Sequence, residues 1–203
     1  MDINSQLKWL PQPFVLTTDE TCRRILGSAY EYANSNSPDP STRNGAVLVN
    51  DDKVIHRHEM SSNGPDRYTT IRGDVLAYGV NKFPNRIKIT EGRLINKKTK
   101  YQLIVHAENG AIFNAARHGR AVNGSTLYCP FYACSECAKA IIQSGVKRVV
   151  GHAQLMALAS EHTAWTESII EAWHMMHEAG VRCELYDGEI GMTTRFNGRD
   201  IAV

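Results

Sequence analysis

Two short stretches decide how this chain folds: 105-VHAENGAIF-113 and 130-PFYACSEC-137. Each leads from a short approach into a helix-forming run. His106 and Glu108 stand at the start of the first helix, Cys134 and Cys137 at the start of the second. Cysteines three apart on a helix point the same way. A helix N-terminus carries partial positive charge and favours thiolate over thiol. One imidazole and two thiolates make three ligands of a tetrahedral zinc ion and leave the fourth position for water, the composition of a catalytic site and not of a structural one. Glu108 would then sit beside the metal without binding it, suited to take a proton from that water. Either half alone is a weak signal. A lone Cys-x-x-Cys is often a redox pair or half of a structural zinc site, and a histidine before a helix is usually a capped or buried one. Here no second cysteine pair completes a structural site, and no strand, Trp and Pro surround the cysteines as in a thioredoxin-like motif.

Working outward, the pattern alternates. Residues 17–34 read as a helix, with Thr18 or Asp19 as its cap and Cys22, Ile25, Leu26, Ala29 and Ala33 as its apolar stripe. "AVLVN" (46–50) and "DVLAYGV" (74–80) read as strands. "AENGAIFNAARHG" is a helix ending near Gly119, "STLYCP" a strand, and "CSECAKAIIQSG" a helix ended by Gly145. "VKRVVGH" is a strand, "TESIIEAWHMMHEAGV" an amphipathic helix and "RCELYDG" a last strand. Strands alternating with helices predict a layered α/β fold. Residues 51–73 are polar, turn-rich and read as an insertion. The connection after Val80, roughly twenty residues long, exceeds a normal compact-domain loop and is expected to be functional or partly structured. Residues 1–13 form an arm docked by Trp9 and Leu10, and "GMTTRFNGRDIAV" a tail without a clear period. The expectation is a single domain over 1–203, its core spanning about 14–187.

The bulk numbers agree. With 203 residues and 42% hydrophobic content the chain can bury one good core. A formal net charge of +2 with interspersed signs gives no field on the scale of nucleic-acid binding. Lys97, Lys98 and Lys100 read as a solvated loop. No run of eighteen apolar residues predicts a transmembrane helix. Five cysteines, without a basic and then apolar leader, predict free thiols in a cytoplasm. His174 and His177 share a helix face but have no evident third ligand, so a second metal is not expected.

The combination of His-x-Glu with Cys-x-x-Cys, each opening a helix, is the signature of zinc deaminases. On these motifs the chain resembles the cytidine and deoxycytidylate deaminase superfamily, and its deoxycytidylate branch most closely. "DPSTRNGAVLVN" (39–50), "GVNKFPN" (79–85) and "CSECAKAIIQSGVKRVV" (134–150) carry the likeness beyond the motif itself. The resemblance implies a three-layer cytidine-deaminase-like fold, a mixed five-stranded sheet flanked by helices. It also implies homo-oligomers whose neighbouring subunits help close the site. It makes His106, Cys134 and Cys137 ligands of one zinc ion and Glu108 the proton shuttle. Asn44 falls in a region that lines the nucleotide pocket. Asn81, followed by Phe83 and Pro84, matches the residue that contacts the sugar. Ala107 offers its backbone to the base, and Tyr132 aligns with a bulky residue packed near it. Arg43 and Arg86 are candidates for the phosphate on charge and position.

The chain departs from the family pattern near the motif. Ala133 stands where proline usually precedes the first zinc cysteine, and Asn109 and Gly110 place the family asparagine one position early. The expected reaction is deamination of deoxycytidylate to deoxyuridylate, in a cytoplasm that is the host's if the chain is phage-encoded. The small residues Gly110 and Ala133 leave deoxyadenylate as an alternative substrate. A zinc-stabilised binding protein without catalysis and a dithiol redox protein are the alternatives of other classes; the intact Glu108 counts against the first.

Overall fold

The computed structural model describes residues 2–59, 67–159 and 163–203, with the backbone path alone given for 52–59, 67–73, 159 and 163–164. In chain order the elements are α1 (Ile3–Gln6), β1 (Val15–Thr17), α2 (Glu20–Asn36), β2 (Gly45–Glu59), β3 (Arg67–Val80), α3 (Glu91–Ile95), α4 (Lys97–Leu103) and α5 (Ala107–Arg117). There follow β4 (Thr126–Tyr128), α6 (Ser135–Gln143), β5 (Arg148–His152), α7 (Ala153–Ala159), α8 (Thr163–Glu178), β6 (Arg182–Tyr186), β7 (Thr193–Phe196) and β8 (Arg199–Ala202).

The main sheet runs in the order β1-β6-β5-β4-β2-β3. β1, β6, β5 and β4 pair in parallel, while β2 is antiparallel to both β4 and β3. This is the expected mixed five-stranded sheet, widened by the three-residue edge strand β1, of which the sequence reading left Val15 and Leu16 unassigned and read Thr17 as the start of the helix. Side chains alternate across the sheet as the period of two requires. Leu48, Leu127 and Val149 face a core shared with Ala111 of α5, Ile141 of α6 and Ile169 and Trp173 of α8. Val47, Val49, Tyr128 and Val150 face the other way, onto Cys22, Ile25 and Leu26 of α2 and onto Phe196 and Val203 at the C-terminal end. Strands buried on both faces read as continuous apolar runs, which is why "AVLVN" lacks polar alternation.

Local signals explain the helix boundaries. The Asp19 side chain accepts from Thr21 N at 2.7 Å and starts α2, and its expected stripe is buried. Gly119 and Gly145, with φ of +65° and +78°, end α5 and α6 in the left-handed conformation that glycine takes without strain. On α8 the anticipated apolar face holds, with Ile169, Trp173 and Met176 buried.

Four segments hold structure that the sequence left open or read as turn-rich. The turn-rich reading of 51–73 gives way to extended backbone, since β2 continues to Glu59 and β3 starts at Arg67; residues 60–66 and 160–162 lie outside the described residues. The long connection after Val80 holds α3 and α4, capped by Thr90 and Asn96. The stretch after β5 forms α7 over Ala153–Ala159. The tail is a β7–β8 hairpin, turned at Asn197 (φ +51°) and Gly198 (φ +76°). Leu7 and Leu10 are buried and Trp9 packs against the same core, so the N-terminal arm is docked as its apolar residues foretold. Among the described residues no helix is long and apolar enough to cross a membrane.

Candidate metal centre and its cavity

His106 and Cys134 occupy the N-cap positions of α5 and α6, with extended backbone and no side-chain capping bond. An N-cap side chain normally turns back onto its own helix. These two turn toward each other instead. His106 Nδ1 lies 3.3 Å from Cys134 Sγ and 3.4 Å from Cys137 Sγ. Tetrahedral zinc with ordinary Zn–N and Zn–S bonds separates such ligand atoms by about 3.5 Å, so the triad has the spacing and the donor types of a zinc site. Among the described residues it is the one group of three or more metal-ligating side chains that converges in this way. His174 and His177 are exposed and outside it.

The surroundings favour one thiolate, at Cys134, while the Cys137 thiol, which donates to it, is pushed up. The Cys134 thiol is held below the usual thiol range, first by the hydrogen bond from Cys137 and then by His106. The two N-termini reinforce this, because both helices aim their positive ends at the same point. The hydrogen bond to Cys134 raises the His106 pKa, and the indole of Trp165 flanks its ring at 5.6 Å.

Glu108 lies in the first turn of α5 and is 2% exposed. Its Oε2 has no hydrogen-bond partner, and burial pushes the carboxyl up to about 7. An unsatisfied buried carboxylate oxygen costs free energy, of the order of 1–3 kcal/mol or more for a charged group, so it needs a reason. The reason on offer is the cavity it faces.

That cavity encloses about 360 Å³ and is lined by His106, Ala107, Glu108, Tyr132 and Cys134 together with Asn44, Asn81, Phe131, Trp165 and Phe196. The remaining lining is Asp39, Ser41, Thr42, Lys97, Lys100, Tyr101, Ile104 and Asn197. Asn44 and Asn81 are tightly held. Asn44 accepts from Phe131 N at 3.2 Å, and its Nδ2 donates to Phe131 O and Cys129 Sγ, each at 3.3 Å. Asn81 Oδ1 accepts from Ser37 Oγ at 2.7 Å and from Asn44 N at 3.0 Å, while its Nδ2 donates to Asp39 and to Thr42 O. Asp39 in turn accepts from Lys100 Nζ at 3.2 and 3.1 Å through both oxygens, with Lys100 only 6% exposed. Lys100 is therefore no part of a solvated loop. It anchors α4 against the wall that carries Asn81, and removing either charge of so deep a pair would leave the other uncompensated, at a cost of about 3–5 kcal/mol.

Of the residues picked from sequence, the structure brings His106, Cys134, Cys137, Glu108, Ala107, Asn44, Asn81 and Tyr132 to this place, with Cys137 behind the cavity wall. Phe83 is buried elsewhere in the fold, Pro84 and Arg86 are exposed, and Arg43 is partly buried; none of the four lines the cavity. Gly110 and Ala133 do not line it either. Gly110 faces β3, and a Cβ built on it would lie 3.5 Å from Gly79 Cα. Sequence reading missed Asp39, Lys100, Trp165, Phe196 and Asn197. For the first two no local pattern foretells a pair 61 residues apart in sequence. For the last two the Asn197-Gly198 dipeptide was an available hairpin signal.

Residues 19–153 match the family described as the cytidine and deoxycytidylate deaminase zinc-binding region. The chain belongs to this deaminase family. The mouse deoxycytidylate deaminase is 31% identical over 122 residues, 56% of this chain and 54% of the mouse protein. The deoxycytidylate deaminase of enterobacteria phage T4 is 50% identical over 46 residues, 23% of this chain and 24% of the phage protein. The chain thus spans about half or less of the length of these curated relatives. Among solved structures, the dCMP deaminase of cyanophage S-TIM5 in complex with dCMP and dUMP superposes with a TM-score of 0.55 at 20% identity, covering 83% of this chain and 98% of that one. At that identity the likeness speaks for a shared fold. The family-matched span includes the whole triad and Glu108 and stops at Ala153, so Trp165, Phe196 and Asn197 come to the cavity from outside it.

Proposed function

We propose that the chain is a zinc-dependent hydrolytic deaminase of a free deoxynucleotide, converting deoxycytidylate to deoxyuridylate with release of ammonia. One observation carries the reading. Glu108 is a buried carboxylate with an unpartnered oxygen, facing a polar cavity, two residues from a metal-ligating histidine.

Held by His106, Cys134 and Cys137, a zinc ion would acidify water and so supply a nucleophile near neutral pH. Glu108 Oε2 would accept a proton from the attacking water and pass it to the ring nitrogen of the base. The same oxygen would then take the second proton from the hydroxyl left on the ring carbon and deliver it to the departing amine. The balance is one water consumed, one ammonia released and the amine-bearing carbon left as a carbonyl. Ala107 presents its backbone and Tyr132 its ring at the base; Asn44 keeps one acceptor position on Oδ1 for the sugar, while Asn81, with both N–H groups and both Oδ1 positions already used, holds the wall in shape. Their rigidity matters, since a prealigned substrate converts binding energy into rate. Arg43, Phe83, Pro84 and Arg86 are given no direct contact in this reading.

Cytosine is preferred to adenine on two grounds. The curated relatives named above are deoxycytidylate deaminases. The small residues that favoured a purine, Gly110 and Ala133, are absent from the cavity lining. The test is incubation of the zinc-loaded protein with deoxycytidylate, deoxyadenylate, deoxyguanylate and their ribose and triphosphate forms, following ammonia and product identity. Deoxyuridylate from deoxycytidylate is expected. Deoxyinosinate from deoxyadenylate would move the substrate to a purine, and ammonia from none of them would refute a free-nucleotide deaminase.

A further inference from the structure

The β7–β8 hairpin lies wholly beyond the family-matched residues, yet its tip forms part of the cavity wall. Phe196 closes β7, and Asn197 and Gly198 turn the chain with φ of +51° and +76°. Two successive left-handed residues are the geometry of the tight hairpin turn that an Asn-Gly pair adopts.

The tip is fastened to the loop that carries the polar side of the cavity. Arg43 N donates to Arg195 O at 2.9 Å, and Gly198 N donates to Ser41 O at 2.7 Å. Asn197 N donates to Thr42 Oγ1 at 3.2 Å, and Arg195 Nε donates to Pro40 O at 3.1 Å. Thr42 O accepts from Asn81 Nδ2, so hydrogen bonds lead from the hairpin to the asparagine wall. On the apolar side the Phe196 ring stands 5.3 Å from that of Phe131, tilted by 56°. Phe131 lies three residues before Cys134, and Asn44 holds its backbone on both sides.

We infer that Phe196 and Asn197, both outside the family-matched span, are further substrate-contacting residues. The hairpin brings one aromatic ring and one amide to a cavity whose metal end it does not share. A ring suits the flat face of a base, and an amide suits a sugar hydroxyl, donating or accepting as needed. The chain thereby supplies from its own C-terminal segment a wall of the site. The inference rests on the nucleotide deaminase reading above.

Residues that bind substrate without touching the proton path or the metal ligands should act on KM and leave kcat nearly unchanged. Asn197→Gly is the sharp variant, because glycine accepts the left-handed turn and removes only the amide. Phe196→Leu keeps an apolar plug beneath the hairpin and removes the ring. Both zinc-loaded full-length variants would be compared with the native protein for deoxyuridylate binding by calorimetry, deoxycytidylate kinetics, melting temperature and zinc content. For Asn197→Gly we expect binding weaker by about fivefold or more, the factor of one lost hydrogen bond. KM should rise in proportion, with kcat within about twofold and with native melting and zinc content. Phe196→Leu should change in the same direction. Native affinity and native KM in both variants would overturn the inference and leave the function standing. A native protein that deaminates no nucleotide would overturn both.

Discussion

Two buried titratable side chains show how differently a polar group can be spent. Glu108 keeps an oxygen without a partner beside the cavity. His152, fully buried where β5 ends, has both ring nitrogens committed. Its Nε2 donates to Gly188 O at 2.9 Å, which leaves Nδ1 to accept from Tyr30 Oη at 2.7 Å. Protonation would place an N–H at Nδ1 facing the tyrosine hydroxyl and break the second bond, while the bond from Nε2 to Gly188 O would remain. Burial accordingly lowers the His152 pKa below 6.5. A base whose folded pKa is depressed stabilises the fold in full above its unfolded pKa, and that stability falls as pH drops through about 6.5 toward the folded value. His152→Gln retains hydrogen-bonding capacity and cannot titrate. Urea unfolding at pH 7.5 and pH 5 should therefore show a smaller loss of stability on acidification for the variant than for the native chain, the difference bounded by about 1.4 kcal/mol per pH unit. Equal losses would mean that His152 does not contribute to acid sensitivity. At this scale the sequence was most legible where spacing is local. His106 with Glu108, and Cys134 with Cys137, each lie within one helical turn, so their convergence on one side needed no tertiary knowledge. The Asp39–Lys100 pair and the unpartnered Glu108 oxygen arise only when segments far apart in sequence pack together.

Between elements, the decisive contact for the site is backbone on backbone. β3 crosses α5 so closely that a Cβ at Gly79 would fall 2.0 Å from Ala107 O and 2.3 Å from Ala111 N. Facing it, a Cβ on Gly110 would meet nothing nearer than 3.5 Å, an ordinary contact. The two glycines thus predict opposite outcomes. Gly79→Ala should force the first turn of α5, and with it His106 and Glu108, away from the sheet. We expect a stability loss of about 1–3 kcal/mol from overpacking, with weakened zinc retention. Gly110→Ala should be tolerated, and can gain up to about 1 kcal/mol from helix propensity. Denaturant midpoints and zinc-to-protein ratios decide both. A tolerated alanine at residue 79 would show that the contact is not close enough to position the site. The long elements were readable because period and caps agree over several turns, as in α2, α5, α6 and α8. The short ones were not. β1 has three residues, α3 and α7 five and seven, too few for a period to emerge. The extension of β2 and β3 through a polar stretch reflects strand pairing, which a single segment does not reveal.

For the molecule as a whole, the sheet separates two jobs. Its one face carries α5 and α6, whose N-termini meet at the metal triad. Its other face carries α2 and the C-terminal hairpin, whose tip returns to line the same cavity. The layered α/β class followed from the order of the elements, and the family from two motifs. The enclosure of the site did not, because it draws on the 39–44 loop, α4, α8 and the hairpin, joined by contacts more than a hundred residues apart. The central claim is that this enclosure exists to let Glu108 move protons at a zinc-bearing triad. Its most direct test is Glu108→Gln against the native protein, each assayed for bound zinc and for ammonia released from deoxycytidylate. We predict about one zinc per chain in both, with turnover in the variant reduced by about a hundredfold or more, the scale of lost acid–base catalysis. Native turnover in Glu108→Gln, at equal zinc content, would contradict the account.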